Sequence, residues 1–84
     1  MKDCFITFRS VTTAQRGEAV LRRSGMDASL RRTPRWMEEQ GCGYSLRLRR
    51  GDMTRAVAAL KNAGVTFRKV YLQMENGSFE ELSV

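Results

Sequence analysis

Histidine is absent from these 84 residues. That removes imidazole acid–base chemistry, Ser-His and Cys-His nucleophile pairs, and the commonest metal ligand. Cysteine is nearly absent: Cys4 and Cys42 lie far apart in sequence, too few for a disulfide-stapled domain and a thin basis for a zinc or iron–sulfur centre. No metal and no cofactor is expected. No run of about 18 apolar residues occurs, which excludes a spanning helix and leaves no role at a membrane. Proline occurs once, at Pro34, and 42% of the residues are hydrophobic, so one ordered domain with a modest core is expected. Met1-Lys2-Asp3-Cys4 runs straight into an alternating apolar segment with no signal-like stretch, which predicts a cytoplasmic protein.

Charge is present in excess and unevenly. The formal net charge is +6, and twelve of the fifteen bases are arginine. Residues 75–84 hold Glu75, Glu80 and Glu81 and no base, so the positive excess belongs to residues 1–74. Such a surface suits nucleic acid, an anionic small molecule or an acidic partner protein, and it also simply aids solubility.

Cys4 to Arg9 predicts a strand, with Cys4, Ile6 and Phe8 on one face and Phe5 and Thr7 on the other. Ser10 suits a helix N-cap, and Val11 to Arg23 a helix with Val11, Ala14, Gly17, Val20 and Leu21 near one side, closed by Ser24-Gly25. Met26, Ala28 and Leu30 alternate with polar residues, which predicts a second strand that Pro34 cannot extend. Gly43 to Arg49 predicts a third strand, with Tyr44, Leu46 and Leu48 on one face. Gly51-Asp52 then caps a second helix, in which Met53, Ala56, Val57, Leu60 and Ala63 form the apolar stripe. Gly64 ends it, and Val65 to Met74 predicts a last strand with a bulge near Arg68-Lys69. Asn76-Gly77 is a turn signal, and the acidic tail around it is either a short extra strand or disordered.

The order βαββαβ predicts an α+β, ferredoxin-like domain over residues 1–74: a four-stranded antiparallel sheet with both helices on one face, followed by an acidic C-terminal tail at 75–84. The other face is left for a partner, a ligand or a second copy of the chain.

Cys42 is the candidate reactive residue. It stands between Gly41 and Gly43, with approachable backbone and arginines close in sequence, conditions that favour a thiolate. Flanking glycines let successive N–H groups point at the sulfur as an anion nest. The same residue also reads as a small buried hydrophobe at a strand start. Arg35 is the first choice of charge partner, while Arg31 and Arg32 point to opposite faces. Cys4 reads as core. Ser10, Thr12 and Thr13 place hydroxyls at a helix start, a natural anion position, although capping alone accounts for Ser10. Trp36 reads as a partner anchor or as a cover for one end of the core.

Thr7-Phe8-x-Ser10, Ala14, Glu18, Leu21, Gly25, Thr33-Pro34-Arg35, Cys42-Gly43 and Val70-Tyr71 together resemble the small bacterial family of selenium/sulfur carrier protein-like domains. The resemblance covers Phe5 to Tyr71. It implies a carrier with Cys42 as the thiol that accepts sulfur or selenium, Pro34 and Arg35 in the preceding loop, and donor and acceptor proteins as partners. Trp36 to Gly41 departs from the small, serine-rich approach expected of the family.

Two other classes compete. A single-stranded nucleic-acid reader would use rings on the central strands, but Phe5 and Phe8 fall on opposite faces and the third strand offers only Tyr44. A regulatory or structural domain would form a homodimer through the open sheet face without thiol chemistry. An enzyme with turnover fits less well than a carrier, since there is no histidine base and little room for a deep pocket.

Overall fold

A computed structural model of the chain describes residues 3–33 and 43–82. Its elements are β1 (Asp3–Phe8), α1 (Val11–Arg23), β2 (Ser29–Arg32), β3 (Tyr44–Arg49), a short 3-10 turn (Arg50–Asp52), α2 (Met53–Asn62), β4 (Val70–Gln73) and β5 (Phe79–Leu82). The strands form one antiparallel sheet in the order β2-β3-β1-β4-β5. The first four positions match the ferredoxin-like order.

The expected four-stranded sheet is corrected to five strands. Phe79–Leu82 pairs with β4, Phe79 opposite Gln73 and Leu82 opposite Val70. The acidic segment therefore continues the sheet, the first of the two alternatives read from its sequence. Glu80 and Glu81 are exposed there, as suits the edge of a sheet, where charge discourages further pairing.

Period-two alternation sets the two faces. Cys4, Ile6 and Phe8 of β1, Leu46 and Leu48 of β3, and Val70 and Leu72 of β4 form one buried cluster with Ala14 and Leu21 of α1 and Ala56, Val57 and Leu60 of α2. Phe5, Thr7, Ser45, Arg47 and Tyr71 take the opposite parity. On that second face the Phe5 and Phe79 rings meet edge to face, with centroids 5.5 Å apart.

Ser10 caps α1 as expected: Thr13 donates its N–H to Ser10 Oγ at 3.2 Å. Asp52 does not cap α2 with its side chain. It pairs with Arg55 at 3.4 Å instead, because the 3-10 turn Arg50–Asp52 delivers the chain into the helix already wound.

Both helices end in the same way. After α1, Gly25 takes φ 83°, its N–H goes to the Arg22 carbonyl, and the N–H of Met26 goes to that of Leu21. After α2, Gly64 takes φ 71°, with matching bonds from Gly64 to Lys61 and from Val65 to Leu60. This six-to-one and five-to-two pattern turns the next apolar residue back onto the helix. Met26 and Val65 are accordingly buried.

That geometry explains two boundary differences. The second strand starts at Ser29 rather than near Met26, because Met26 belongs to the helix stop. The fourth starts at Val70 rather than Val65 for the same reason. Arg68 and Lys69 both lie opposite Thr7, two residues against one. Arg68 donates to the Thr7 carbonyl at 2.8 Å, Thr7 donates to the Lys69 carbonyl at 2.8 Å, and Lys69 donates to Thr7 Oγ1 at 3.0 Å. This is the bulge expected near Arg68-Lys69.

Candidate functional site

Of the candidate residues, Ser10 and Gly43 fall within the described part of the chain; Cys42, Pro34, Arg35, Trp36 and Gly41 lie outside it. The two that are described belong to the same end of the sheet. Tyr44 pairs with Phe8, so the next residue outward on β3 is Gly43 and the next on β1 is Arg9, followed by Ser10. Thr33 donates its N–H to the Gly43 carbonyl at 3.1 Å, continuing the β2–β3 ladder by one step.

Cys4 lies at the other end of the same strand, opposite Leu48 and Leu72. Four residue steps along β1 separate it from Phe8, about 13 Å at the rise of an extended strand. It is fully buried, and burial pushes its thiol pKa up from an ordinary 9.0 to about 12, with the neighbouring Asp3 carboxylate adding to the rise. A thiol held that firmly in its protonated form is a poor nucleophile at neutral pH.

Glu18, matched to the family by sequence but without an assigned chemistry, has a structural task. Its carboxylate accepts the Leu30 N–H at 3.2 Å and lies 3.8 Å from Arg22 one turn along the helix. It ties α1 to an outer strand of the sheet. Tyr44 packs against the helix-covered core rather than standing on the second face.

Sequence reasoning missed a cleft of about 510 Å³ beside Ser10, lined by Arg9, Ser10, Thr13, Thr66, Phe67, Arg68 and Lys69. The signal near Arg68-Lys69 was visible as a break in alternation. What the sequence did not show is that the bulge brings this segment up against the start of α1.

Among the described residues, no group of three or more acidic or cysteine side chains is placed to hold a metal ion. No helix among them is long and apolar enough to cross a membrane.

These features define a small α+β domain of ferredoxin-like strand order whose Cys4 thiol is sealed in the core. The chain belongs to the family described as putative Se/S carrier protein-like, whose model matches residues 3–72. Comparison with the curated proteins and with the solved structures gives no match.

Proposed function

We propose that the protein is a sulfur or selenium carrier and that Cys42 bears the cargo. The observation that carries this reading is the state of the other thiol. Carrier chemistry in a chain with two cysteines needs one accessible thiolate, and Cys4 is buried with its pKa pushed up to about 12. The task falls to Cys42, which stands inside the segment matched by the family.

The step is a transfer of sulfane sulfur. The Cys42 thiolate attacks the terminal sulfur of a donor persulfide, the donor's S–S bond breaks, and the donor leaves as a thiolate. Cys42 is then the persulfide. An acceptor thiolate attacks its outer sulfur and regenerates the Cys42 thiolate. The sulfur keeps its oxidation state throughout, so no external oxidant is needed. Selenium moves by the same scheme. Donor and acceptor proteins are the partners, and Arg35 is the proposed cation beside the sulfur. No chemical turnover beyond this exchange is required, which makes the protein a carrier rather than a catalyst.

The test is the pH dependence of alkylation at each cysteine, read by mass spectrometry, with Cys4 as internal control. The reading expects Cys42 to alkylate with an apparent pKa below the ordinary value of 9.0, to gain the mass of one sulfur from a small-molecule persulfide, and to pass it to a free thiol. Arg35→Ala should move that pKa upward. A Cys42 no more reactive than Cys4, or one that takes up no sulfur, would overturn it.

A further inference from the structure

β2 stands at one end of the strand order and β5 at the other. Backbone groups alternate in direction along a strand, so every second residue of an edge strand turns its N–H and C=O away from the sheet. Thr33 bonds to Gly43 across the β2–β3 ladder, and Arg31 and Ser29 share its parity. Ala28, Leu30 and Arg32 therefore turn theirs outward. Two of these outward groups are held by α1. Glu18 Oε2 accepts the Leu30 N–H at 3.2 Å, and Arg22 Nε donates to the Ala28 carbonyl at 3.3 Å. The two side chains stand one helical turn apart and approach each other to 3.8 Å.

We infer that the outer edge of β2 is a strand-addition surface kept closed by the Glu18–Arg22 pair, and that the strand it excludes is β5 of a second copy. An antiparallel strand joining β2 needs the Leu30 N–H for its own carbonyl. The Glu18 carboxylate already occupies that donor, through a charge-assisted bond stronger than a neutral carbonyl would make. Its side chain is only 25% exposed, so the bond is partly shielded from water; Arg22, at 62%, forms the outer rim. Glu18 is therefore the principal guard, and Arg22 holds it in place from the next turn while covering Ala28.

Charge and length select the excluded strand. β2 carries Arg31 and Arg32, both exposed, and β5 carries Glu80 and Glu81, both exposed. Two β2 edges repel each other, as do two β5 edges, whereas β2 of one copy and β5 of another attract. The strands match in length, four residues each. A contact of this kind is head to tail: every copy added presents a further β2 and a further β5, so assembly does not close on itself. The guard on β2 interrupts that growth at its only acceptor strand. This inference goes beyond the carrier reading and does not depend on Cys42 carrying cargo.

The test compares the full chain with Glu18→Ala and Glu18→Met by sedimentation equilibrium and amide hydrogen exchange, all under reducing conditions so that no disulfide links copies. Methionine is a good helix former that keeps the side-chain stem and lacks the acceptor, so it decides the matter if the alanine variant does not fold. The unaltered chain should stay monomeric up to about 1 mM. At low concentration each variant should exchange the Leu30 amide at least about tenfold faster, as loss of a charge-assisted bond predicts. At higher concentration each should associate with a Kd below about 1 mM, its average mass rising without a stop at two copies. Adding Glu80→Lys and Glu81→Lys to Glu18→Met should restore the monomer. Unchanged Leu30 exchange, variants that remain monomeric, or an unaltered chain that associates as they do would overturn the guard. A mass that stops at two copies, or association that survives the two lysine changes, would overturn β5 as the excluded strand. Sulfur loading of Cys42 is a separate measurement, so the two readings fail independently.

Discussion

Thr33 donates its backbone N–H to the carbonyl of Gly43 at 3.1 Å, which bonds to each other the two residues that bracket positions 34–42. The segment bearing Cys42 thus leaves and rejoins the sheet at one rung. Two hydroxyls stand beside that rung. Thr33 and Ser45 are both buried, and among the described residues neither Thr33 Oγ1 nor Ser45 Oγ has a hydrogen-bond partner.

A buried hydroxyl without a partner loses its hydration and gains nothing in return. Ser45→Ala and Thr33→Val should therefore each hold or raise stability, by up to about 1 kcal/mol, as measured by urea denaturation. A loss of more than about 1 kcal/mol in either would mean that the hydroxyl has a partner after all.

Gly17 faces Phe8 across the α1–β1 interface. A Cβ at position 17 would lie 3.0 Å from Phe8 Cζ, 3.2 Å from Phe8 Cε2 and 3.3 Å from Leu46 Cδ1. Helix propensity alone would make Gly17→Ala stabilising by about 0.5–1 kcal/mol. Phe8 is 1% exposed and has no room to retreat, so overpacking decides the sign. The variant should lose about 1–2 kcal/mol in equilibrium unfolding.

Much of this was legible before the fold was known. Strict alternation in Cys4-Phe5-Ile6-Thr7-Phe8 named the core face of β1, and the i, i+3, i+4, i+7 spacing from Met53 named the buried side of α2. Met26 and Val65 misled, since their burial comes from helix stops that depend on the positive φ of Gly25 and Gly64. An apolar residue after a helix-ending glycine mimics the first residue of a strand. β5 was ambiguous because two of its four residues are glutamates, which fit an edge strand and a solvated tail equally well. The cleft at Ser10 was invisible, as Thr66 to Lys69 reach it only through the β1–β4 pairing. The candidate thiol, in contrast, was legible only in the sequence.

Cys4 links stability to alkaline pH. Its thiol pKa is raised from 9.0 to about 12, chiefly by burial and then by Asp3. Below pH 9 the thiol is protonated both folded and unfolded, so its full contribution is present. Above pH 9 the unfolded chain releases the proton while the folded one retains it, and stability falls until about pH 12. Between pH 9 and 10.5 the native protein should lose on the order of 2 kcal/mol relative to Cys4→Ala, measured as urea midpoints at each pH. Parallel pH profiles would remove the linkage.

The fifth strand should contribute through one aromatic pair. Phe5 and Phe79 meet at 5.5 Å with an interplanar angle of 66°. A double-mutant cycle to alanine should return a coupling of about 0.5–1.5 kcal/mol. A coupling near zero would mean that this ring pair does not help to hold β5 on the sheet.

The strand order has a consequence for how the chain is made. β1 lies in the middle of the sheet, yet its two neighbours, β3 and β4, come some forty and sixty-six residues later in the chain. Long-range pairings of this kind form slowly, since a large loop must close before either ladder rewards it. During synthesis β1 has one edge open until β3 has left the ribosome and the other until β4 has. Cys4 shares that wait. A thiol sealed in the core of the finished protein is thus open to solvent for much of its manufacture.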